Sequence, residues 1–186
     1  PRWHEDGMMT TKRHCYEDFI AIAERVIADG FTSKGKIGIT GCSNGGLLMS
    51  ALVTMRPDLW GCVIDSVPHT DMIHFAEDDR GPMYITEYGN PRGSEEMFRY
   101  LLSYSPYHNV KAVDYPPTYV QTGEMDNNVP PYHGKKFAAR MQAMNTSNNP
   151  ILLRVLAEGS HDRGKGEVYW KTIAEMQLFL EQHLKG

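Results

Sequence analysis

Apolar residues at Phe19, Ile20, Ile22, Ala23, Val26 and Ile27 recur at helical spacing and predict an amphipathic helix over 11–29, with Gly30 standing where a helix C-terminus favours a left-handed residue. A short β-like run at 36–40 follows, and then an apolar run at 45–56 that reads as a second helix stopped by Pro57. Residues 61–65 form a short apolar run, closed by Asp65 and bounded by turn signals, which fits a strand buried on both faces. From His69 to Tyr107 aromatics, acids, glycines and prolines mix without one period, which predicts short helices and loops. The rest is clearer. A strand at 118–122 ends at Gly123 and an acidic turn, Glu124-Met125-Asp126; a helix covers 131–144; a strand covers 151–156; a glycine-containing loop covers 158–166; and a last helix covers 167–183.

Strands that alternate with helices imply an α/β fold, a mostly parallel sheet with helices on both faces, and in such sheets ligands sit at the carboxyl ends of the strands. Ser43, Asp126 and His161 each fall just past the end of a predicted strand. Ser43 lies in Gly41-Cys42-Ser43-Asn44-Gly45, a Gly-x-Ser-x-Gly turn between a strand and a helix, where Gly41 and Gly45 are expected to leave room for the tight turn. A serine hydroxyl needs a neighbouring base to become a nucleophile, and the base needs a third group to orient it. The chain order Ser43, Asp126, His161 fits that need in an α/β-hydrolase, with the backbone N–H of Asn44 as an oxyanion donor.

Composition narrows the alternatives. With 186 residues and 41% hydrophobic residues, the chain has the material for one substantial core, so a single domain or a piece of one is expected over 1–186. A net charge of -4 argues against nucleic acid or an anionic membrane as a partner, and no stretch has the length of a membrane span. Three cysteines, Cys15, Cys42 and Cys62, lack metal-ligand spacing and favour a reducing, cytoplasmic setting over a disulfide framework. Neither a metal nor another cofactor is expected. The chain opens on Pro1 rather than methionine, so a fragment is expected.

Competing residues stay open on spacing alone. Glu124 and Asp162 rival Asp126, and His133 rivals His161 but sits on a predicted helix and reads as a surface residue. His69, Asp71 and His74, with Glu77, Asp78 and Asp79 nearby, match no compact ligand motif and read as a polar loop. Cys42 reads as a packed small residue, and Asn145-Thr146-Ser147 as a chance match to a glycosylation triplet.

The segments Gly41-Cys42-Ser43-Asn44-Gly45-Gly46-Leu47-Leu48, Arg56-Pro57-Asp58-Leu59-Trp60-Gly61, Tyr104-Ser105-Pro106-Tyr107, Gly123-Glu124-Met125-Asp126-Asn127-Asn128-Val129-Pro130 and Gly159-Ser160-His161 resemble the catalytic domain of the prolyl oligopeptidase family. That resemblance implies a serine peptidase acting on short peptides, and it selects Asp126 over its neighbours as the third triad member. It also implies that the chain is the C-terminal portion of the α/β-hydrolase domain. A β-propeller, the first strands and a tyrosine that normally gives the second oxyanion hydrogen bond would then lie outside it. Tyr84 matches a tryptophan that stacks on the substrate proline in the prolyl enzymes. Asn128 matches an arginine that binds substrate carbonyls, or the asparagine of the dipeptidyl-peptidase branch. With Tyr88 they are the expected substrate-binding residues. The strand before Ser43 would lie at the broken edge of half a sheet, open to self-association or to the missing half-domain. An esterase of the same fold and an inactive structural fragment are the alternatives.

Overall fold

The computed structural model describes residues 2–162 and 164–184. In chain order the elements are α1 (Arg2–Glu5), a 3-10 turn (Met9–Thr11), α2 (Arg13–Ala28), β1 (Ile37–Cys42), α3 (Asn44–Met55) and β2 (Trp60–Ser66). Two 3-10 turns (Phe75–Glu77 and Gly81–Tyr84) follow, with the short helices α4 (Ile85–Tyr88), α5 (Glu95–Tyr104) and α6 (Pro106–Asn109). The chain closes with β3 (Thr118–Gly123), α7 (Tyr132–Met144), β4 (Ile151–Leu156) and α8 (Gly166–Leu184).

The four strands form one sheet in the order β1-β2-β3-β4, and every pairing is parallel. Helices cover both faces, and each face has its own core. One core joins Leu47, Leu52 and Val53 of α3 to Val63, Val120, Phe137 and Met141; the other packs Met176 and Phe179 of α8 on Cys62, Ile64 and Tyr119. This is the three-layer α/β architecture that the alternation of patterns predicts. All seven residues of β2 are buried, the polar Asp65 and Ser66 at its end included, and Gly30 takes φ 80 after α2. Among the described residues β1 is an outer strand, paired only with β2, and no helix is long and apolar enough to cross a membrane.

Two expectations need correction. Cys42 is exposed rather than packed, because it ends an outer strand that has a neighbour on one side only. His133 is fully buried rather than on the surface: its Nδ1 accepts from the Thr70 and Asp71 amides at 3.2 and 3.1 Å, leaving Nε2–H to donate to Asp78 Oδ2 at 3.1 Å. The acidic stretch after His69 is a loop of polar residues, as expected, and its side chains form an organised network. The Asp71 carboxylate is buried, accepts from the Ile73 and His74 amides and holds Lys136 and His74. Burial alone would raise its pKa, but the hydrogen bonds from Lys136 and His74 outweigh that and hold it below the usual carboxylate range. Asp71, His74 and His108 bring three potential metal-ligand atoms within 4.8 Å, yet the Lys136 ammonium already neutralises the carboxylate from above the rings of Tyr107 and Tyr132.

Candidate active site

The parallel register sets the ends of the strands in line, with Cys42 opposite Ser66 and Ser66 opposite Gln121. Ser43 therefore emerges at the carboxyl edge of the sheet. It sits at φ 60, ψ -117, a conformation that a side chain-bearing residue adopts only when its surroundings impose it, and its amide is tied to Ser66 O at 2.9 Å. The next strand carries a second such residue, Val67 at φ 42, whose amide bonds Gln121 O at 2.7 Å. For a β-branched residue this is a marked outlier. Strain thus collects at the ends of β1 and β2, beside the serine.

The glycines around Ser43 differ in what they do. A Cβ on Gly41 would lie 2.2 Å from the carbonyl oxygen of Gly45, and one on Gly46 would meet Asp65 Oδ1 and Pro68 within 2.9 Å. A Cβ on Gly45 would meet nothing within 4 Å. The close approach of strand and helix is therefore made by Gly41 and Gly46, and the expected steric need at Gly45 is absent. Beneath Gly46, burial pushes the Asp65 carboxyl well above its ordinary pKa, and the Ser50 hydroxyl is its partner.

Asp126 and His161 come from two segments that are tied to each other. The Glu124 amide donates to Leu156 O and the Met125 amide to Gly159 O, both at 2.9 Å, so the turn after β3 and the loop after β4 run as a pair. Gly123 permits this, since a Cβ there would stand 2.4 Å from the carbonyl oxygens of Gly159 and Ser160. Gln121 adds a side-chain bond from Nε2 to Asp162 O at 3.3 Å. Neither Gly123 nor Gln121 stands out in the sequence as a site residue, because their work is to hold a loop that is distant along the chain.

His161 Nδ1 lies 2.8 Å from Asp126 Oδ2, and His161 Nε2 lies 2.8 Å from Ser43 Oγ. A carboxylate only accepts, so Nδ1 carries the proton and Nε2 is free to accept from the serine hydroxyl. The other oxygen of Asp126 accepts from the amides of Asn128 and Val129 at 2.8 and 2.9 Å, which fixes the carboxylate in place. The rivals are occupied elsewhere: Glu124 pairs with Lys135, and Asp162 accepts from Ser160 and Gly164. Asn44 opens α3, so its N–H has no intrahelical acceptor and stands beside Ser43.

A cavity of about 470 Å³ opens at Ser43 and Asn44. Tyr84 forms part of its wall, with its ring 5.2 Å from that of His69. Burial lowers the pKa of His69 to about 3, and the ring is neutral. Tyr88 is buried, and its hydroxyl donates to Asn44 Oδ1 at 2.9 Å, so it is both core and part of the site. Asn128 is half-buried beside Asp126 and is not among the residues that line this cavity.

A family model described as "Prolyl oligopeptidase family" matches residues 1–186. The chain belongs to the prolyl oligopeptidase family. It is 41% identical over 165 residues to the prolyl endopeptidase of Elizabethkingia miricola, covering 88% of this chain and 23% of that protein. It is 36% identical over 182 residues to protease 2 of Moraxella lacunata, covering 96% of this chain and 26% of that one. Among solved structures, oligopeptidase B from Trypanosoma brucei with covalently bound antipain superposes with a TM-score of 0.93 at 34% identity, over 97% of this chain and 26% of that one. The chain thus spans about a quarter of the length of these relatives. Prolyl oligopeptidase membership accounts for the fold: the sheet and helices described above have close counterparts in these solved structures.

Proposed function

We propose that this chain supplies the reacting groups of a serine peptidase that hydrolyses short peptides through an acyl-enzyme. Ser43 attacks the scissile carbonyl while His161 takes its proton, and His161 then returns that proton to the departing amine. Asp126 holds the tautomer and stabilises the imidazolium. The Asn44 N–H donates to the oxyanion, and Tyr84, Tyr88 and Asn128 contact substrate. The observation that carries this reading is the continuous chain of 2.8 Å hydrogen bonds from Ser43 through His161 to Asp126. The strained backbone of Ser43 adds to it.

We read residues 1–186 as the C-terminal portion of the family's catalytic domain, with the propeller and first strands outside it. The quarter-length match and the outer position of β1 support this, and β1 is then the edge on which a second copy or the rest of the domain would pair. Three cysteines, an odd number without metal-ligand spacing, favour a cytoplasmic setting.

Turnover of a short peptide amide against a simple ester of the same acyl group tests the reaction class. A peptidase cleaves the amide, and Ser43→Ala lowers that rate by about 10³-fold or more. Cleavage of the ester alone would favour the esterase reading.

A further inference from the structure

Asp65 lies near the end of β2 and is wholly buried. An acid is buried this far almost only when it is paired. The groups packed against it carry no charge. On its own face of the sheet its register neighbours are Gly41 of β1 and Val120 of β3. Gly46 and Ser50 of α3 cover it, and a Cβ on Gly46 would stand 2.8 Å from Asp65 Oδ1 and from Pro68. None of these residues is titratable. The Ser50 hydroxyl is bonded to Oδ2, while Oδ1 is buried without a hydrogen-bond partner.

An ionised carboxylate in this setting would be an unpaired buried charge held by one hydroxyl, so the group keeps its proton instead. Burial accordingly pushes Asp65 well above its ordinary pKa, and the bond from Ser50 opposes this only in part. The uncharged side chain then ties together two elements that meet at the site. It rises from β2, bears on Gly46 in the first turn of α3 and bonds Ser50 in the second. That helix starts from Ser43, whose amide is held at 2.9 Å by the carbonyl of Ser66, the residue after Asp65.

We propose that Asp65 is a positioning residue for the nucleophile: as an uncharged acid bonded to Ser50, it fixes the first turns of α3 on β2 and so sets Ser43 and the Asn44 N–H in place. This rests on the reading of Ser43 as nucleophile. Asp65 touches no reacting atom and acts through the helix alone. A shift of the turn by about 1 Å would cost on the order of 10²-fold in rate.

Two measurements test this. The first reads the charge. In the unfolded chain Asp65 ionises above about pH 4, while in the folded protein it keeps its proton. The folded state then holds one proton more, and its stability falls as pH rises through neutrality. Asp65→Asn cannot titrate. Chemical denaturation is expected to show the ratio of unfolding constants, unmodified protein over Asp65→Asn, rising at least about tenfold from about pH 6 to about pH 8. The second measurement reads Ser43, through its rate of labelling by a small fluorophosphonate. That rate is expected to stay within about threefold in Asp65→Asn, which keeps the size and the bond to Ser50. It is expected to fall about tenfold or more in Asp65→Val, which keeps the packing and loses the bond. A merely structural Asp65 would leave labelling of the folded valine variant unchanged. Ser50→Ala removes the same bond from the other side and gives the reading if Asp65→Val unfolds; circular dichroism checks each fold. A ratio of unfolding constants that stays level with pH, undiminished labelling without the bond, or a loss in Asp65→Asn as large as in Asp65→Val would overturn the proposal. Failure to label Ser43 in the unmodified protein would instead overturn the catalytic reading and this inference with it.

Discussion

An Asp126→Asn variant is expected to lose about 10⁴-fold in kcat with its fold intact. Asp126 Oδ1 accepts from two backbone amides, those of Asn128 and Val129, and these would claim the carbonyl oxygen of an asparagine. The NH2 group must then face His161 Nδ1. That nitrogen turns from donor into acceptor, the proton moves to Nε2, and the ring can no longer accept from Ser43. The loss thus comes from the wrong tautomer rather than from a missing charge alone. Steady-state kinetics with a peptide amide, alongside an unchanged circular dichroism spectrum, would check it; a loss below tenfold would mean that Asp126 does not orient His161.

The second large effect concerns the turn itself. Gly41→Ala places a methyl 2.2 Å from a backbone oxygen of Gly45, which no side-chain rotation relieves. Strand and helix must separate, at an expected cost of about 3 kcal/mol or more in stability. Gly45→Ala has open space, and alanine is the better helix former by about 1 kcal/mol, so its stability is expected to stay level or rise slightly. Chemical denaturation of the two variants compares them directly. Equal destabilisation would show that Gly41 is not the close point between strand and helix.

What the sequence makes legible follows from how local each signal is. The apolar run of β2, the periodicity of α2 and the turn chemistry at Gly30 are read from neighbouring residues, and the structure matches them to within a residue or two. Ser43 belongs to this class, since its motif, strand and helix are contiguous. Asp126 does not. Spacing left Glu124 and Asp162 equally eligible, and what separates them is which carboxylate reaches His161 once β3 and β4 pair in register. The same limit hid Gly123 and Gln121, whose partners lie some forty residues onward in the loop after β4. Nor does a histidine on a helix carry any local mark of the two amides from which His133 accepts across the fold.

The proposed chemistry turns on Ser43 as a nucleophile activated by His161. Treating the protein with a fluorophosphonate and mapping the adduct by peptide mass spectrometry tests it most directly. One adduct is expected, on Ser43, that disappears in Ser43→Ala and forms at least about 10³-fold more slowly in His161→Ala. Labelling that is absent, that falls on another residue, or that keeps its rate without His161 would contradict it.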